Sequence, residues 1–469
     1  MAKLYIFGIG GTGSRVLRSF TMLMAAGVEL GNGINEIVPI IIDPDNANAD
    51  LTRAVGLIGK YRNIRKDLTF TGENRFFLPD IAGVLQIQIA GTNNLTLQQF
   101  MQLPSMDKSS EAMIRMLFSE KNLQSSMDVG FKGNPNIGSV VLNQIVGTNG
   151  FKVFANSFKQ GDMIFIISSI FGGTGASGFP LLLKTLRTGQ FNGNALINNA
   201  AIGAVTVLPY FKIETDNNSE IDSSTFISKT KSAMAYYEKN IVNNSSLNAL
   251  YYLADEASKT YSNNVGGTKQ ENDAHLIEFL AATAIVDFTY DPNYPNPNGN
   301  ISTSNREFGI VSTHKDGTVT FKSFGNKDKQ YLYRPLTQFV LLSLCMTDKY
   351  DYFRSDKFDA NIKYFKEIKT FMGKVKDFCE EYKKWLAEMK RNKRSLDLFN
   401  LDCKDEPFNV VTDVKPGKAR SYLSNYDLVA DRLNGKAEKN KNKKAEDMWM
   451  EMFYLGTEKL FKEKLEKSI

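Results

Sequence analysis

Two stretches of this chain pass from an apolar run into a helix-like run through clustered glycines. That pairing constrains the fold more than any other feature of the sequence. The central stretch is Phe171-Gly172-Gly173-Thr174-Gly175-Ala176-Ser177-Gly178-Phe179-Pro180, preceded by the apolar run Met163–Ile170 and followed by Leu181–Leu186. The other is Gly8-Ile9-Gly10-Gly11-Thr12-Gly13-Ser14, at the end of the apolar segment 3–9. Glycine lets backbone N–H groups approach an anion closely, and a helix that starts there adds the positive end of its dipole. The first loop also fits the G-x-G-x-x-G dinucleotide pattern, and tight strand-to-helix packing without any ligand is the alternative reading of it.

The rest of the chain sets the frame. At 469 residues it has room for two or three domains and a large core. It has no apolar run of 18 residues, so no transmembrane helix is expected, and residues 1–9 read as a strand and not as a signal peptide. Three unclustered cysteines, Cys345, Cys379 and Cys403, fit a reducing cytoplasm and give no metal-ligand spacing. With only His275 and His314, a histidine metal centre or proton relay is not expected. The net charge of +6 is concentrated in the Lys-rich last third, which reads as a solvated face or a contact for an acidic partner.

Periodicity predicts strands at 3–9, 36–42, 163–170, 201–208 and 249–254, with a helix over 13–27 and another over 273–288. The opening β-α-β unit calls for a parallel sheet. A helix is also expected near 108–126, a loop over 289–306, short strands and a helix over 307–345, and amphipathic helices over 357–394 and 445–467. Trp385 and Trp449 fall on those last helices as packing residues. Two polar loops join the glycine loops. Asp43-Pro44-Asp45-Asn46-Ala47-Asn48 ends the second strand, where carboxylates reach a metal, its waters or a ribose, or else form an Asx-rich turn. Gly133-Asn134-Pro135-Asn136-Ile137-Gly138 is by composition a turn.

The order of these motifs resembles the tubulin/FtsZ superfamily, in particular its divergent bacterial tubulin-like branch, over roughly residues 3–290. Gly10-Gly11-Thr12-Gly13 is similar to that family's first loop, and Asp43–Asn48 stands where its N-T-D-like loop stands. Gly133–Gly138 fits its G-N-P-x-x-G loop, and Phe171–Pro180 its G-G-G-T-G-x-G-x-x-P hallmark. Gly203-Ala204-Val205-Thr206-Val207 with Pro209-Tyr210-Phe211 matches a G-A-x-T-V strand ending at a Pro-Phe loop.

The resemblance implies an α/β fold: a Rossmann-like parallel-sheet nucleotide-binding domain over 1–272 with an insertion at about 50–130, and a core helix over 273–288. A smaller α+β domain over 289–350 and a helical, Lys-rich extension over 351–469 would follow. It implies GTP/GDP with Mg²⁺ as ligand, no metal ligand assigned directly, and a cytoplasmic, cytoskeletal protein that assembles head-to-tail into filaments. Gly10, Gly11, Thr12 and Gly13 would cradle the phosphates from one side, and Gly172, Gly173, Thr174 and Gly175 from the other. Asp45 and Asn46 would lie at the phosphate or metal edge, Gly133 and Asn134 near the γ-phosphate, Glu214 near the ribose, and Asp255 and Asp273 near the base.

The chain departs from the family pattern at several positions. Phe171 replaces the first hallmark glycine and Ser177 the last, and Glu214 falls one position late. The family's activating N-x-D-x-x-D loop is not recognisable after Phe288. Asp287 and Asp291 are the nearest carboxylates and the candidate catalytic residues for a slow GTPase acting between subunits. The alternatives are a non-hydrolysing scaffold or switch of the same fold, and a Rossmann-type dinucleotide or adenylating enzyme.

Overall fold

The computed structural model describes residues 2–466, apart from 46–47, 89–91, 93–94, 128–130, 132–133, 192–193, 214–225, 257–259, 262–271, 295–300, 308–309, 311–312, 315, 355–357, 359–366, 419–421, 424 and 438–442. The strands are β1 (Lys3–Ile9), β2 (Glu36–Ile42), β3 (Asp80–Ile81), β4 (Leu85–Ile87), β5 (Met163–Ser169), β6 (Ala201–Val207), β7 (Lys212–Ile213), β8 (Ala249–Leu253), β9 (Thr260–Tyr261) and β10 (Ser304–Glu307). All except β7 and β9, which pair with each other, belong to one sheet. Its order is β10-β8-β6-β5-β1-β2-β3, with β4 also on β2, and every pairing is parallel.

In chain order the helices begin with α1 (Gly10–Ala25), α2 (Ala49–Arg65), α3 (Leu97–Phe100), α4 (Lys108–Leu117), α5 (Glu120–Leu123), α6 (Pro135–Leu142), α7 (Asn149–Ser157) and α8 (Gly173–Thr188). They continue with α9 (Phe226–Tyr237), α10 (Leu276–Thr289), α11 (Asn326–Thr347), α12 (Tyr350–Phe353), α13 (Lys369–Arg391), α14 (Asn425–Asn434) and α15 (Ala445–Lys464).

The parallel sheet follows from residue type: β5 and β6 are buried along their whole length, as strands covered on both faces must be. Pro39 lies inside β2 without breaking it. The outer neighbour is split there: β3 pairs with Glu36–Ile37 and β4 with Ile40–Ile42, leaving Val38–Pro39 opposite a gap where no proline N–H is needed. The chain runs from β1 outward to β2, then returns to place β5 on the other side of β1. That reversal makes a topological switch point at the C-terminal ends of β1 and β5, where open α/β sheets bind ligands. Helix α10 is buried along its whole length and packs on α1, β6 and β8. Gly203 of β6 admits it, since a Cβ there would lie 2.8 Å from the rings of Phe165 and Phe288.

Several boundaries differ from the sequence expectation, each for a local reason. Helix α1 starts at Gly10 and not at 13, because the glycine loop is itself the first helical turn. The helix expected over 108–126 is two helices, α4 and α5, broken where Ser119 starts a new cap by accepting from the Asn122 N–H. The segment 289–306, expected to be a loop, ends in β10, which adds to the sheet beside β8. Helix α10 starts at Leu276 and not at 273, because His275 caps it: Nδ1 of His275 accepts from the Ile277 N–H at 3.1 Å, and Glu278 accepts from the His275 N–H at 3.1 Å.

Helix α11 packs on both α13 and α15, and α13 closes over α2. Both tryptophans are fully buried there, and Trp385 donates to Ser19 of α1 at 3.2 Å. Many lysines of this region pair within the chain: Lys374 with Asp67, Lys383 with Asp348, Lys390 with Asp397 and Lys443 with Glu451. Among the described residues no helix is long and apolar enough to cross a membrane.

Candidate functional site

The two glycine loops meet. β1 and β5 are paired with Gly8 opposite Ile167, so their C-terminal ends are nearly level. Gly10 has φ +68°, a left-handed conformation that favours glycine, and a Cβ on it would sit 3.4 Å from Cβ of Thr174. Helices α1 and α8 start at this contact. Their N-caps, Ile9 and Gly172, make no side-chain hydrogen bond, and neither helix has an acidic residue in its first turn. This is unlike α2, capped by Asn48 with Asp50 behind it, or α10, closed by its capping box. Two helix ends therefore direct backbone N–H donors and dipole charge at one crevice, and neither N-cap side chain takes them up. The Ser14 hydroxyl, in the second turn of α1, is fully buried and has no hydrogen-bond partner among the described residues. It was not singled out from sequence, although its place in the first loop was the available signal.

Other glycines in the loops serve packing. A Cβ on Gly13 would run into the Gly8 backbone, and one on Gly175 would lie 2.7 Å from the Ser169 carbonyl oxygen, so each lets a helix lie directly on its strand. Gly11, Thr12 and Gly173 complete the two first turns. The third motif joins them from the side. A Cβ on Gly138 would strike Ser177, so α6 packs against the first turns of α8 at the position where serine replaces the hallmark glycine. Asn134 is the N-cap of α6 without capping it, and its amide donates to Asn122 Oδ1 at 3.0 Å. Gly133 lies outside the described residues, as do Asn46 and Glu214.

At the end of β2, Asp43, Asp45 and Asp50 are all buried. The Asp43 carboxylate accepts from the Asp45 N–H at 3.0 Å, and burial pushes its pKa up to about 7, with Asp45 and Asp50 adding repulsion. Burial likewise raises Asp50, against the pull of Arg15 and Arg53. Arg15, one turn further along α1, links this corner to α10 by pairing with Glu278 and donating to the Asp273 carbonyl at 2.9 Å. Tyr210, from the loop after β6, donates to Glu278 at 3.2 Å and packs on the His275 ring.

Asp255 and Asp273 stand on the same side of the molecule, each bound to an arginine from beyond α10. Arg394 donates to Asp255 Oδ1 at 3.0 Å, and Arg391 to Asp273 Oδ1 at 3.0 Å. Asp287 and Asp291 are not brought to the glycine loops. They sit at the far end of α10, where Asp287 accepts from Tyr251 at 2.7 Å, from Arg306 at 3.1 Å and from Lys327, and Asp291 pairs with Arg306. Burial works against the Asp287 charge, but these donors outweigh it and hold the carboxyl below its usual range.

No protein-family model and no curated protein matches the chain. Solved structures similar to the chain include FtsZ and CetZ proteins. An FtsZ mutant from M. jannaschii overlaps 54% of this chain and 47% of its own at 14% identity and a TM-score of 0.28. GDP-bound CetZ1 from Haloferax volcanii overlaps 54% and 51% at 15% identity and 0.27. CetZ from Methanosaeta thermophila overlaps 54% and 46% at 16% identity and 0.24. The chain thus spans about half the length of these proteins. The α/β fold itself is defined by the sheet order and its parallel crossovers.

Proposed function

We propose that this chain is a tubulin/FtsZ-like nucleotide-binding protein that takes GTP across the C-terminal edge of its sheet and assembles head-to-tail with copies of itself. The observation that supports the reading is the approach of Gly10 to Thr174, which brings the two glycine loops and two uncapped helix N-termini together in the arrangement an anion site needs. Backbone N–H groups of Gly10–Gly13 and Gly172–Gly175 would hold the phosphates, with hydroxyls from Thr12 and Thr174. Asp45, Asn46, Gly133 and Asn134 would border the phosphate end, Glu214 the ribose, and Asp255 and Asp273 the base.

Among the described residues no group of three His, Cys, Asp or Glu side chains is placed to hold a metal. A Mg²⁺ ion would be held mainly by the phosphates and water, as this ion commonly is in triphosphate sites. Bound there, it would neutralise phosphate charge.

A second reading, nucleotide-dependent assembly without hydrolysis, is favoured by one specific observation. Both carboxylates nearest the expected activating loop are committed to Arg306, Lys327 and Tyr251. Phosphoryl transfer to water needs a residue free to orient that water.

Calorimetric titration with GTP and ATP tests the binding reading, with Gly173→Val as the comparison. A branched side chain at the first residue of α8 keeps the helix start from meeting a phosphate. The expected loss is about 100-fold, the ~2.7 kcal/mol that one or two charge-assisted hydrogen bonds supply. A folded variant with unchanged affinity refutes the site.

A further inference from the structure

We propose that Arg394, from the segment after α13, is a positioning residue that holds Asp255 as the acceptor for the base of the bound nucleotide. The inference rests on the binding reading above and deepens it. It starts from a continuous rim along the sheet edge. The Ile170 N–H donates to the Val207 carbonyl at 3.0 Å, and the Leu208 N–H to the Leu253 carbonyl at 2.8 Å. The exits of β5, β6 and β8 are thus hydrogen-bonded in sequence, from the glycine loop to Asp255. Phe171 packs edge-on against Phe211, with ring centroids 5.5 Å apart, and bridges the first two of these exits. With strands about 4.8 Å apart, Asp255 lies two spacings, ~10 Å, from the α8 start. One extended nucleotide covers that distance.

Asp255 is built to accept. Its side chain is 8% exposed. Oδ1 takes both the Arg394 Nε–H at 3.0 Å and the Glu256 N–H at 2.8 Å. Oδ2 is enclosed and accepts no hydrogen bond from any described residue. An enclosed carboxylate oxygen left empty is costly, whereas a donor from a ligand satisfies it. Arg394 orients the carboxylate by holding Oδ1, so that Oδ2 is the oxygen left for the ligand. A purine edge carrying ring N–H and amino donors satisfies that oxygen better than adenine, whose ring nitrogen at the same edge is an acceptor. The arginine arrives from 139 positions further along the chain, so recognition of the base depends on docking of the C-terminal region.

The test is titration of the full chain, unaltered and as R394Q, R394K, D255N and the double variant, with GTP, ATP and tripolyphosphate. R394Q should weaken GTP about tenfold, lower the GTP-to-ATP preference by the same factor, and leave tripolyphosphate unchanged. R394K should recover part of the loss. D255N keeps the side chain's shape and should give the same selective loss independently, and the double variant should bind no more weakly than the poorer single. GTP affinity indifferent to Arg394, or tripolyphosphate weakened in step with GTP, overturns the proposal, since a merely structural contact lowers all three together. Failure of the unaltered chain to bind any of the three probes removes the underlying reading and this inference with it, a result distinct from binding that ignores Arg394.

Discussion

Asp43 shows how the residue scale sets a measurable property. Its carboxyl is enclosed at the end of β2 and titrates at about 7, while an unfolded chain would release that proton near 3.8. Between those values the folded state holds a proton that the unfolded state has lost, so this group makes stability fall as pH rises from about 4 to 7 and adds no further change above. Asp43→Asn keeps the oxygen that accepts from the Asp45 N–H and removes the titration. The unfolding free energy from denaturant titration should be higher for the variant by on the order of a few kcal/mol above pH 7 and converge with the parent near pH 4. Parallel pH curves for the two proteins would dismiss the assignment. Asp43 was readable as part of a polar loop at a strand end, but its burial was not, because that depends on how α2 folds back over it. The glycines were more legible. A residue that must adopt φ +68° at Gly10, or let a helix touch a strand at Gly13, has few substitutes, so chemistry that depends on backbone leaves its mark in local sequence.

At the scale of elements, the end of α13 is the joint between the two halves of the chain. Glu388 is 1% exposed and accepts from Arg18 of α1 at 2.6 Å, Arg53 of α2 at 2.8 Å and the Ala274 N–H at 3.0 Å. Burial opposes its charge, but the Arg18 and Arg53 interactions outweigh that and keep it ionised below the usual glutamate range. Asn392 adds a bond to the Ala274 carbonyl, so α13 also grips the chain just before α10. Replacing one partner of such a group strands the others. Glu388→Gln should cost about 3–5 kcal/mol, visible as a lower denaturant midpoint, and a change below ~1 kcal/mol would show that the joint is not stabilising. None of this was legible. Residues 357–394 read as a Lys-rich amphipathic helix, and its contacts lie 114 to 370 positions away. The strands β1, β2, β5, β6 and β8 were legible because continuous apolar runs bounded by turn residues have few other uses. Helices α3 and α5 have four residues each, too few to carry a periodic signal, so the break between α4 and α5 was not legible although a helix near 108–126 was.

For the whole molecule, α10 is the axis. Its N-terminus adjoins the candidate nucleotide site, and its 14 residues span about 21 Å, which puts Asp287 in its last turn and Asp291 just past its end, on the opposite side. In one subunit those carboxylates cannot reach the phosphates. Head-to-tail stacking would set the far end of one copy over the site of the next, a heterologous contact that generates open filaments. Contact alone does not make catalysis. Arg306 and Lys327 already neutralise Asp287 and Asp291, and freeing either carboxylate would expose a half-buried guanidinium within the sheet edge at β10. Assembly should therefore outrun turnover. With light scattering and phosphate release followed on one sample, GTP should raise scattering above a threshold protein concentration, while release stays below about one phosphate per assembled subunit during the rise. Phosphate release that climbs in step with scattering would instead mean that stacking breaks the Arg306 and Lys327 pairs and delivers a working carboxylate. In that case Asp287→Asn and Asp291→Asn, assayed separately, should identify which one orients the water.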